Sequence, residues 1–469
     1  MTTYLYRFRP IKKLIEYKEL EETYIYFASP EELNDPLEGF RPVVWTGDEI
    51  AWRNLFKHFF LCMYKMALQL LNNEKLSDEC FPALASIQDL SEEELPAVVK
   101  YMSAFLSNEN VIFHITWLSA KHREVDEIEL KLHLSAVQMF ALKKITQTVI
   151  QLNFLSDMQK ITELSDSDTL KVSSKVREYL GDPQHLLSED FKDHIARALA
   201  LVEINDFIRS YNSWKDVGTK DIEWYRLSAG FSSGYIRNIK KLCVYNWYVA
   251  CFMDSAENSS IWGTYGNNHT GVCLIYETNA DHGKPMLELA QMQGSSKGRG
   301  KYFFKKVRYD EHPPVLKFFT SLARYSIPQL YNDWFLSVDG KSSSLAASAF
   351  KNEEAWRDSH FTDHETSVTT KLEAWRGEAE YRLTLTSPMN NHGDKQSRKL
   401  TYDFKKLHGI IFGINTTQEE KFQLVSIVEK LCDLYKKKGF VFYQAYHSVL
   451  SGKIERHQLF IVSASDDTP

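Results

Sequence analysis

The rest of the chain is arranged around the segment Phe27-Ala28-Ser29-Pro30-Glu31-Glu32-Leu33-Asn34-Asp35-Pro36-Leu37-Glu38-Gly39. It follows Tyr24-Ile25-Tyr26-Phe27, an apolar and aromatic run of the kind that is enriched in β-strands. Pro30 and Pro36 then fix φ and remove two backbone donors. The sequence therefore predicts a strand that ends in a stiff loop.

Three polar side chains follow each other on this loop: Asn34, Asp35 and Glu38. Asp35 precedes a proline, which pushes its backbone away from the α region. Because loops on a rigid scaffold commonly carry binding and catalytic groups, we expect the three side chains to belong to a site. The alternative is a capped turn, in which the asparagine and aspartate bond their own backbone.

The composition is that of a globular protein with ordinary burial. The chain has 469 residues, 43% hydrophobic and 25% charged, enough for two or three domains. Its net charge of −6 argues against bulk binding of nucleic acid, although a local basic patch stays open. The six cysteines form no C-x-x-C pair and the N-terminus does not resemble a signal peptide, so we expect a cytoplasmic protein without disulfides. The most apolar helix candidate, 56–71, is too short and too polar to span a membrane.

The periodicity of the sequence changes twice. Residues 1–47 contain strand-like runs, 48–240 have the pattern of long amphipathic helices, and 241–469 return to strands with a helical excursion at 315–372. Strands at both termini and helices between them predict an α+β fold. We expect a mixed sheet formed by N- and C-terminal strands, with a large helical insertion.

The strongest chemical signal lies between Trp375 and Leu383. At the strand period of two residues, Glu378, Glu380 and Arg382 share one face. Paired carboxylates beside an arginine can bind a ribose, hold a metal or act as acid and base. The alternative is a solvated strand face with a pair of opposite charges.

A second candidate set is Trp262, Tyr265 and His269. Trp262 and Tyr265 lie one helical turn apart, so their rings could stack on a base or a nicotinamide. Composition alone favours the alternative, core packing with a satisfied histidine. The basic stretch Gly294–Lys301 lacks the Walker spacing and is expected to be a mobile surface loop. No cysteine or histidine pair has zinc-ligand spacing, so we predict no metal site.

Five motifs together resemble a bacterial domain-of-unknown-function family, numbered two-nine-seven-one. They are Tyr4-Leu5-Tyr6-Arg7-Phe8, Phe27-x-x-Pro30-x-x-x-Asn34-Asp35-Pro36-x-Glu38, Trp262-x-x-Tyr265-x-x-x-His269-x-Gly271-Val272-Cys273, Val307-x-Tyr309 and Lys371-x-x-x-Trp375-x-x-Glu378-x-Glu380-x-Arg382. A long insertion after Glu38 breaks the family spacing. The resemblance implies a fold but no established reaction, and a family of this kind would suit a toxin or a phage-defence effector.

The order of these motifs is also similar to that of ADP-ribosyltransferases, which have an early basic strand, aromatic ring-stackers and a late Glu-x-Glu strand. This likeness implies that Arg7 contacts a dinucleotide, that Glu380 is the catalytic carboxylate, and that NAD is a substrate. The chain lacks the Ser-Thr-Ser strand motif of that group. The predicted catalytic residues are Arg7, Glu378 and Glu380, and the predicted substrate-binding residues are Asn34, Asp35, Glu38, Trp262, Tyr265, His269 and Arg382.

Two other functions stay open. A divalent-metal nuclease or phosphodiesterase would use Asp35, Glu38, Glu378 and Glu380 as hard oxygen ligands. A non-catalytic sensor or interaction protein would bind a partner through the helical insertion. If the protein is an enzyme of either kind, we expect a nucleotide or dinucleotide ligand and no membrane partner. The sequence leaves the oligomeric state open.

Overall fold

The computed structural model describes residues 3–35, 42–72, 81–153, 162–181, 191–217, 227–292, 298–312, 315–387 and 392–465. The chain divides into two units. Unit 1 comprises Met1–Phe40, Asn246–Pro314 and Asp363–Pro469. Unit 2 comprises Arg41–Tyr245 and Val315–Thr362. Glu38, part of the predicted site loop, and the first half of the stretch Gly294–Lys301, residues 294–297, lie outside the described residues.

The strands, numbered in chain order, are short at the start of the chain and longer toward its end. They are β1 (Thr3–Arg9), β2 (Tyr24–Tyr26), β3 (Val43–Val44), β4 (Asn246–Met253), β5 (Val272–Asp281), β6 (Lys284–Gln291), β7 (Gly300–Phe303), β8 (Lys305–Lys306), β9 (Arg308–Asp310), β10 (Leu316–Lys317), β11 (Thr370–Leu372), β12 (Glu380–Ser387), β13 (Lys399–Tyr402), β14 (Leu407–Phe412), β15 (Phe440–His447) and β16 (Ile454–Val462).

The α-helices, numbered in the same way, are longest between β3 and β4. They are α1 (Ile11–Ile15), α2 (Glu49–Leu71), α3 (Glu94–Leu106), α4 (Glu109–Ser119), α5 (Glu127–Gln151), α6 (Asp166–Thr169), α7 (Lys171–Leu180), α8 (Phe191–Val217), α9 (Phe231–Ile239), α10 (Ser259–Thr264), α11 (Ile327–Leu330), α12 (Glu353–Val368) and α13 (Gln418–Tyr435). In the described part of the chain, none of these helices is both long and apolar enough to cross a bilayer.

Unit 1 is built on one large sheet. Among the described residues, twelve strands take part, and the main path runs β16-β15-β14-β5-β1-β4-β12-β8. Most neighbours are antiparallel, whereas β14 and β15 are parallel. Strands from the N-terminus therefore lie between strands from the C-terminal part. This confirms the predicted α+β fold, with a sheet of N- and C-terminal strands.

Both faces of this sheet are covered. On one face, α13 packs Leu424, Val428 and Leu431 into a core that also contains Phe252. On the other face, α10 inserts Trp262 into a second core. α10 begins at Asn258, whose side chain caps the helix by accepting a hydrogen bond from the Ser260 N–H at 2.9 Å.

Unit 2 contains the stretch 48–240, the predicted helical insertion, and also Val315–Thr362, which the prediction placed with the remainder of the α+β core. Its largest core is built around α2. The Asp48 side chain accepts a hydrogen bond from the Ala51 N–H at 3.1 Å, which satisfies one orphan donor at the start of α2. The buried residues Trp52, Phe56 and Phe59 recur at helical spacing and enter one large core.

One local expectation about the late strand needs correction. The strand begins at Glu380, so the prediction that Glu378 lies on it was wrong. Glu378 ends a 3-10 turn, Glu373–Glu378, and Ala379 between them has a left-handed backbone with φ of +46°. The two glutamates therefore belong to different elements.

Candidate functional site

A cavity opens in unit 1 where β1 and β4 part. The two strands pair only at Tyr6 and Met253. Farther along β4, Val249 pairs instead with Ala28, and the two residues exchange backbone hydrogen bonds of 2.8 Å each. The cavity has a volume of about 760 Å³, and consecutive residues of both strands, 7–9 and 249–251, line it. Because β1 and β4 separate here, side chains from both faces of the sheet line the same cavity.

Arg7 is the most unusual group in this wall. It is only 5% exposed, and its Nη2 donates to the Tyr26 carbonyl at 2.9 Å while its guanidinium lies 5.6 Å from the centre of the Phe252 ring. No carboxylate in the described ranges forms an ion pair with it. Burial lowers the pKa of Arg7, and Arg9 adds to this, but a guanidinium stays charged in proteins. A buried cation without an anionic partner is costly and favours an anionic ligand.

The rest of the lining is mixed in charge. Arg9 donates to both carboxylate oxygens of the buried Glu19: Nε donates to Oε2 at 2.8 Å, and Nη2 donates to Oε1. The lining contains six basic side chains, Arg7, Arg9, Lys13, Lys18, Lys395 and Lys399, and four acidic ones, Glu16, Glu19, Glu22 and Glu32. The cavity therefore has a surplus of positive charge although the whole chain is acidic.

Behind the cavity lies a set of buried charges that we call the ionic cluster: Lys371, Glu378, Glu380 and Arg382. Lys371 Nζ lies 2.7 Å from Glu378 Oε2 and 3.6 Å from Glu380 Oε2. Arg382 donates to both oxygens of Glu380, at 2.8 and 3.0 Å, and to the Val368 carbonyl at 2.6 Å. All four side chains are buried, so the alternative of a solvated strand face is wrong.

Burial dominates the protonation of this cluster. It raises the pKa of Glu380 to about 7, although Lys371 acts in the opposite direction. Burial also lowers the pKa of Arg382 to about 9, and the buried Asp35 opposes that change. The pKa of Lys371 rises overall, because the attraction of the two carboxylates exceeds the effect of burial. Asp35, from the loop after β2, therefore acts on the cluster through Arg382.

Two residues connect the cavity wall to the ionic cluster. The Tyr265 hydroxyl donates to Glu378 Oε1 at 2.7 Å, and the half-buried Cys251 hydrogen-bonds Glu380 through its thiol. Both residues line the cavity. Burial raises the pKa of each, and a neighbouring carboxylate adds to the rise. Tyr265 and Cys251 are therefore neutral hydrogen-bond donors near pH 7.

The structure brings most of the predicted site residues together, in two shells. Arg7, Asn34 and Tyr265 line the cavity. Glu378, Glu380 and Arg382 belong to the ionic cluster, which the hydrogen bond from Tyr265 to Glu378 joins to the cavity wall. Asp35 is close enough to Arg382 to act on its pKa. Glu380, the predicted catalytic carboxylate, does not line the cavity.

Trp262 and His269 lie elsewhere. Trp262 is fully buried, donates to the Ala256 carbonyl at 2.8 Å and packs edge-on against Phe8 with ring centres 4.9 Å apart. His269 stacks on Trp262 with ring centres 6.4 Å apart. Neither ring lines the cavity at Arg7. Trp262 packs in the core and also lines a smaller cavity of unit 1, whereas the buried Nδ1 of His269 has no hydrogen-bond partner among the described residues. The alternative of core packing therefore holds for Trp262, but the expected satisfied histidine is wrong.

Sequence reasoning missed Cys251, Glu19 and Lys371 as members of the site. Cys251 lies in an apolar strand that gives no polar signal, and Glu19 lies in a polar turn among other charges. Lys371 begins a family motif, yet its seven-residue distance from Glu378 does not indicate contact. Its role becomes visible only once β11 and the turn before β12 fold together.

The carboxylates are poorly suited to hold a divalent metal. Glu378 and Glu380 are each bound by a buried cation, Lys371 or Arg382. Within the described ranges, no group of three or more histidine, cysteine, aspartate or glutamate side chains is placed to hold a metal ion. The geometry therefore gives no support to the nuclease alternative.

Unit 1 thus combines an α+β sheet with a cavity of positive surplus charge and a buried ionic cluster. Residues 261–383 match the model of the family described as "Protein of unknown function (DUF2971)". This match includes Tyr265 and the whole ionic cluster, whereas Arg7 lies before it. No curated protein and no solved structure matches the chain, so the likeness to ADP-ribosyltransferases gains no structural support.

Proposed function

We propose that unit 1 is an enzyme that acts on a nucleotide or dinucleotide, with NAD as the substrate to test first. The observation that supports this most is Arg7, a buried guanidinium that faces a cavity and has a backbone carbonyl as its hydrogen-bond acceptor. A guanidinium presents donors in a fork that matches a phosphate. A ligand phosphate would supply the ion-pair partner that no carboxylate in the described ranges supplies to Arg7.

The size and the aromatic lining of the cavity suit such a ligand. Its volume of about 760 Å³ lies within the usual range of small-molecule sites. The rings of Tyr17, Tyr24 and Tyr26 line it, and Tyr17 is 56% exposed. An exposed ring at the wall can stack on a base, while Arg7 holds the phosphate at the buried end.

Tyr265 is the group that would meet the ribose. Its hydroxyl is held by Glu378, which Lys371 holds in turn, so its orientation is fixed before a ligand enters. For transfer of ADP-ribose, the bond from ribose to nicotinamide breaks and an acceptor nucleophile loses its proton. Tyr265 can accept that proton as its own passes to Glu378. In this proposal Glu380 is a positioning residue that holds Lys371 and Arg382.

The first test is binding and consumption of NAD by the purified chain. Calorimetry with NAD, ADP and pyrophosphate measures affinity, and loss of NAD measures turnover without added metal. We expect Arg7→Gln to weaken binding by about tenfold or more, since hydrogen bonds to a charged group contribute about 1.5–3 kcal/mol. Arg299→Gln removes a partly exposed arginine of unit 1 that does not line the cavity, and serves as the charge-matched control.

Tyr265→Phe keeps the ring and removes only the hydroxyl, so it separates binding from chemistry. We expect a lower kcat with a nearly unchanged KM for NAD. If the folded wild-type chain binds none of the three ligands, the proposal is wrong. If the chain binds NAD but never consumes it, the enzyme hypothesis is wrong and the sensor hypothesis takes its place. The Arg7 cavity would then be the site that senses the ligand.

An effector role in toxicity or antiviral defence would follow from NAD consumption, because depletion of a shared dinucleotide stops the metabolism of a cell. Expression of the wild type in a bacterial host should then lower cellular NAD and growth, and Tyr265→Phe at equal protein level should not. Equal growth of both strains with unchanged NAD would contradict this role.

A further inference from the structure

A second cavity of unit 1 is lined by Thr370 and Ala379, which are sequence neighbours of ionic-cluster residues. Its volume is about 810 Å³. Residues 306–310 of the β8–β9 segment line it, together with His312, Thr366 and Thr370, and Arg376 and Ala379 from the turn before β12. It shares no lining residue with the cavity at Arg7. The two cavities are therefore separate spaces.

The second cavity is lined by cations from distant parts of the chain. Lys306 and Arg308 come from β8 and β9, and Arg376 comes from a turn nearly 70 residues later. The parallel pairing of β9 with β11 places Arg308 opposite Thr370 and brings these segments together. Asp310 is the one acidic residue that lines this cavity in the described part of the chain. The lining therefore has three cations against one carboxylate, and a concave surface with such a surplus of positive charge attracts anions.

Two of these cations have no carboxylate of their own. Arg376 is paired with Glu373, at 2.7 Å between Nη2 and Oε2. In the part of the chain that the structure describes, neither Lys306 nor Arg308 forms an ion pair, and Lys306 instead lies 5.9 Å from the centre of the Tyr381 ring. The local positive charge is thus left for a ligand or for solvent.

Hydrogen bonds hold the cavity wall around Tyr309 in a fixed arrangement. The Tyr309 hydroxyl accepts a hydrogen bond from the Glu380 N–H at 2.9 Å, which fixes the ring against the start of β12. The Arg376 guanidinium lies 5.6 Å from the centre of that ring, and its Nη2 donates to the Tyr309 carbonyl at 3.4 Å. Arg376 is therefore held against the Tyr309 ring, with 63% of its side chain still exposed to solvent.

We propose that the second cavity binds a phosphate group of a ligand, through Arg308, Lys306 and the fixed guanidinium of Arg376. Guanidinium and ammonium groups on several segments are the usual donors to phosphate oxygens. The chain as a whole carries a net charge of −6, so this surplus is local and does not reflect a basic protein. The phosphate belongs either to a small molecule or to a single-stranded nucleic acid. The site does not use Arg7 and does not depend on the function proposed for that cavity.

The test compares a double variant of the full chain with a control of equal charge. Lys306→Gln with Arg308→Gln removes two cations of the second cavity. Lys284→Gln with Lys430→Gln removes two exposed cations of unit 1 that do not line it. Calorimetry with pyrophosphate and fluorescence anisotropy with a single-stranded oligonucleotide are carried out on both variants, on the wild type and on Arg7→Gln, and thermal unfolding checks that each is folded.

We expect the first double variant to weaken binding of at least one probe at the second cavity tenfold or more, while the control retains it. Arg7→Gln should lose only the pyrophosphate site of the Arg7 cavity, and should bind the oligonucleotide and the remaining pyrophosphate as the wild type does. Tighter binding of the oligonucleotide, with strong salt dependence, would assign the phosphate to nucleic acid, and binding of pyrophosphate alone would assign it to a small molecule. If neither probe binds the wild type, or if both double variants lose binding equally, the proposal is wrong. The proposal for the Arg7 cavity is wrong instead if Arg7→Gln binds NAD and pyrophosphate as tightly as the wild type, so the two proposals fail separately.

Discussion

The hydroxyl of Tyr265 donates a 2.7 Å hydrogen bond to Oε1 of Glu378, and this bond joins the wall of a cavity to a buried ionic cluster. The other oxygen of the same carboxylate is held by Lys371, also at 2.7 Å. Glu378 is thus fixed on both sides. The position of a cavity-lining hydroxyl therefore depends on a lysine that the cavity itself does not contact.

Lys371→Met should destabilise unit 1 strongly. The methionine fills much of the same space, but it leaves two buried carboxylates with Arg382 as their remaining cation in the cluster. Loss of one partner of a buried ionic group typically costs about 3 kcal/mol or more. Chemical denaturation followed by fluorescence measures the change.

The control for this variant is Lys305→Met. Lys305 forms an ion pair with Glu365, but both side chains are substantially exposed. Pairs of that kind contribute about 1 kcal/mol or less. Equal losses of stability in the two variants would show that the ionic cluster is not the stabilising feature we infer.

Glu19→Gln should change affinity and stability in opposite directions. Glu19 is buried and neutralises Arg9 in the cavity wall, so its removal leaves a second guanidinium without a charged partner beside Arg7. We expect binding of pyrophosphate to strengthen by about fivefold, roughly 1 kcal/mol, while the free energy of unfolding falls. Calorimetry and thermal unfolding of the same sample test both effects. Weaker binding with unchanged stability would exclude an anion site at Arg7.

Gly413→Ala should disrupt the backbone packing just after the end of β14, near His269. A Cβ at this position would lie 2.2 Å from the His269 carbonyl oxygen and 2.7 Å from that of Gly271, because the backbones approach closely there. Backbone atoms cannot yield as a side chain can, so we expect a loss of about 3 kcal/mol or failure to fold. Gly263→Ala, in α10 with open space around it, is the control and should be neutral or slightly stabilising. A stable Gly413→Ala protein would contradict this packing.

That close approach also explains one of the sequence motifs. His269 is part of the predicted ring-binding set and Gly271 follows it in the same motif, yet their backbone carbonyls accept hydrogen bonds from residues just after β14. Asn415 N–H donates to His269 at 2.9 Å, and Gly413 N–H donates to Gly271 at 2.9 Å. A motif can thus reflect packing of the main chain, and one sequence does not distinguish that from ligand binding.

Strand alternation predicted part of the ionic cluster correctly and part wrongly. Glu380 and Arg382 do share one side of β12, as their two hydrogen bonds show. Glu378 does not continue the alternation, because Ala379 adopts a left-handed conformation that an alanine rarely takes. The side chain of Glu378 still joins the cluster, held there by Lys371.

The cavity could not be predicted from the sequence, although the sheet could. The α+β fold follows from local periodicity, whereas the gap between β1 and β4 depends on Ala28 taking the place of a strand partner beside Val249. Those residues lie more than 200 positions apart in the chain. Their meeting is a long-range event with no local pattern.

Unit 2 contains a buried row of contacting polar side chains that includes two histidines, His114 and His133. Nδ1 of His114 lies 2.7 Å from Nδ1 of His133, and Nε2 of His114 lies 2.9 Å from the Ser173 hydroxyl. Nε2 of His133 faces Glu129 at 3.7 Å. One arrangement of protons suits all of these contacts: Ser173 donates to His114, His114 donates to His133, and His133 directs its N–H at Glu129. Both histidines are neutral in this arrangement.

Protonation of either histidine should therefore weaken α4 and α5, which carry them. Burial lowers the pKa of both histidines; Arg177 adds to this at His114, and at His133 Glu129 opposes it. The unfolded chain binds protons below about pH 6.5 and the folded chain does not, so this stability is complete above that pH and is lost as the pH falls, by up to about 1.4 kcal/mol per pH unit for each histidine. Hydrogen exchange of α4 and α5, corrected for intrinsic rates, should show less protection at pH 5.5 than at pH 7.5. His133→Gln should make that difference smaller, and the exposed His282→Gln should leave it unchanged. Equal protection of the wild type at both pH values would exclude the buried pair as a pH-sensitive element.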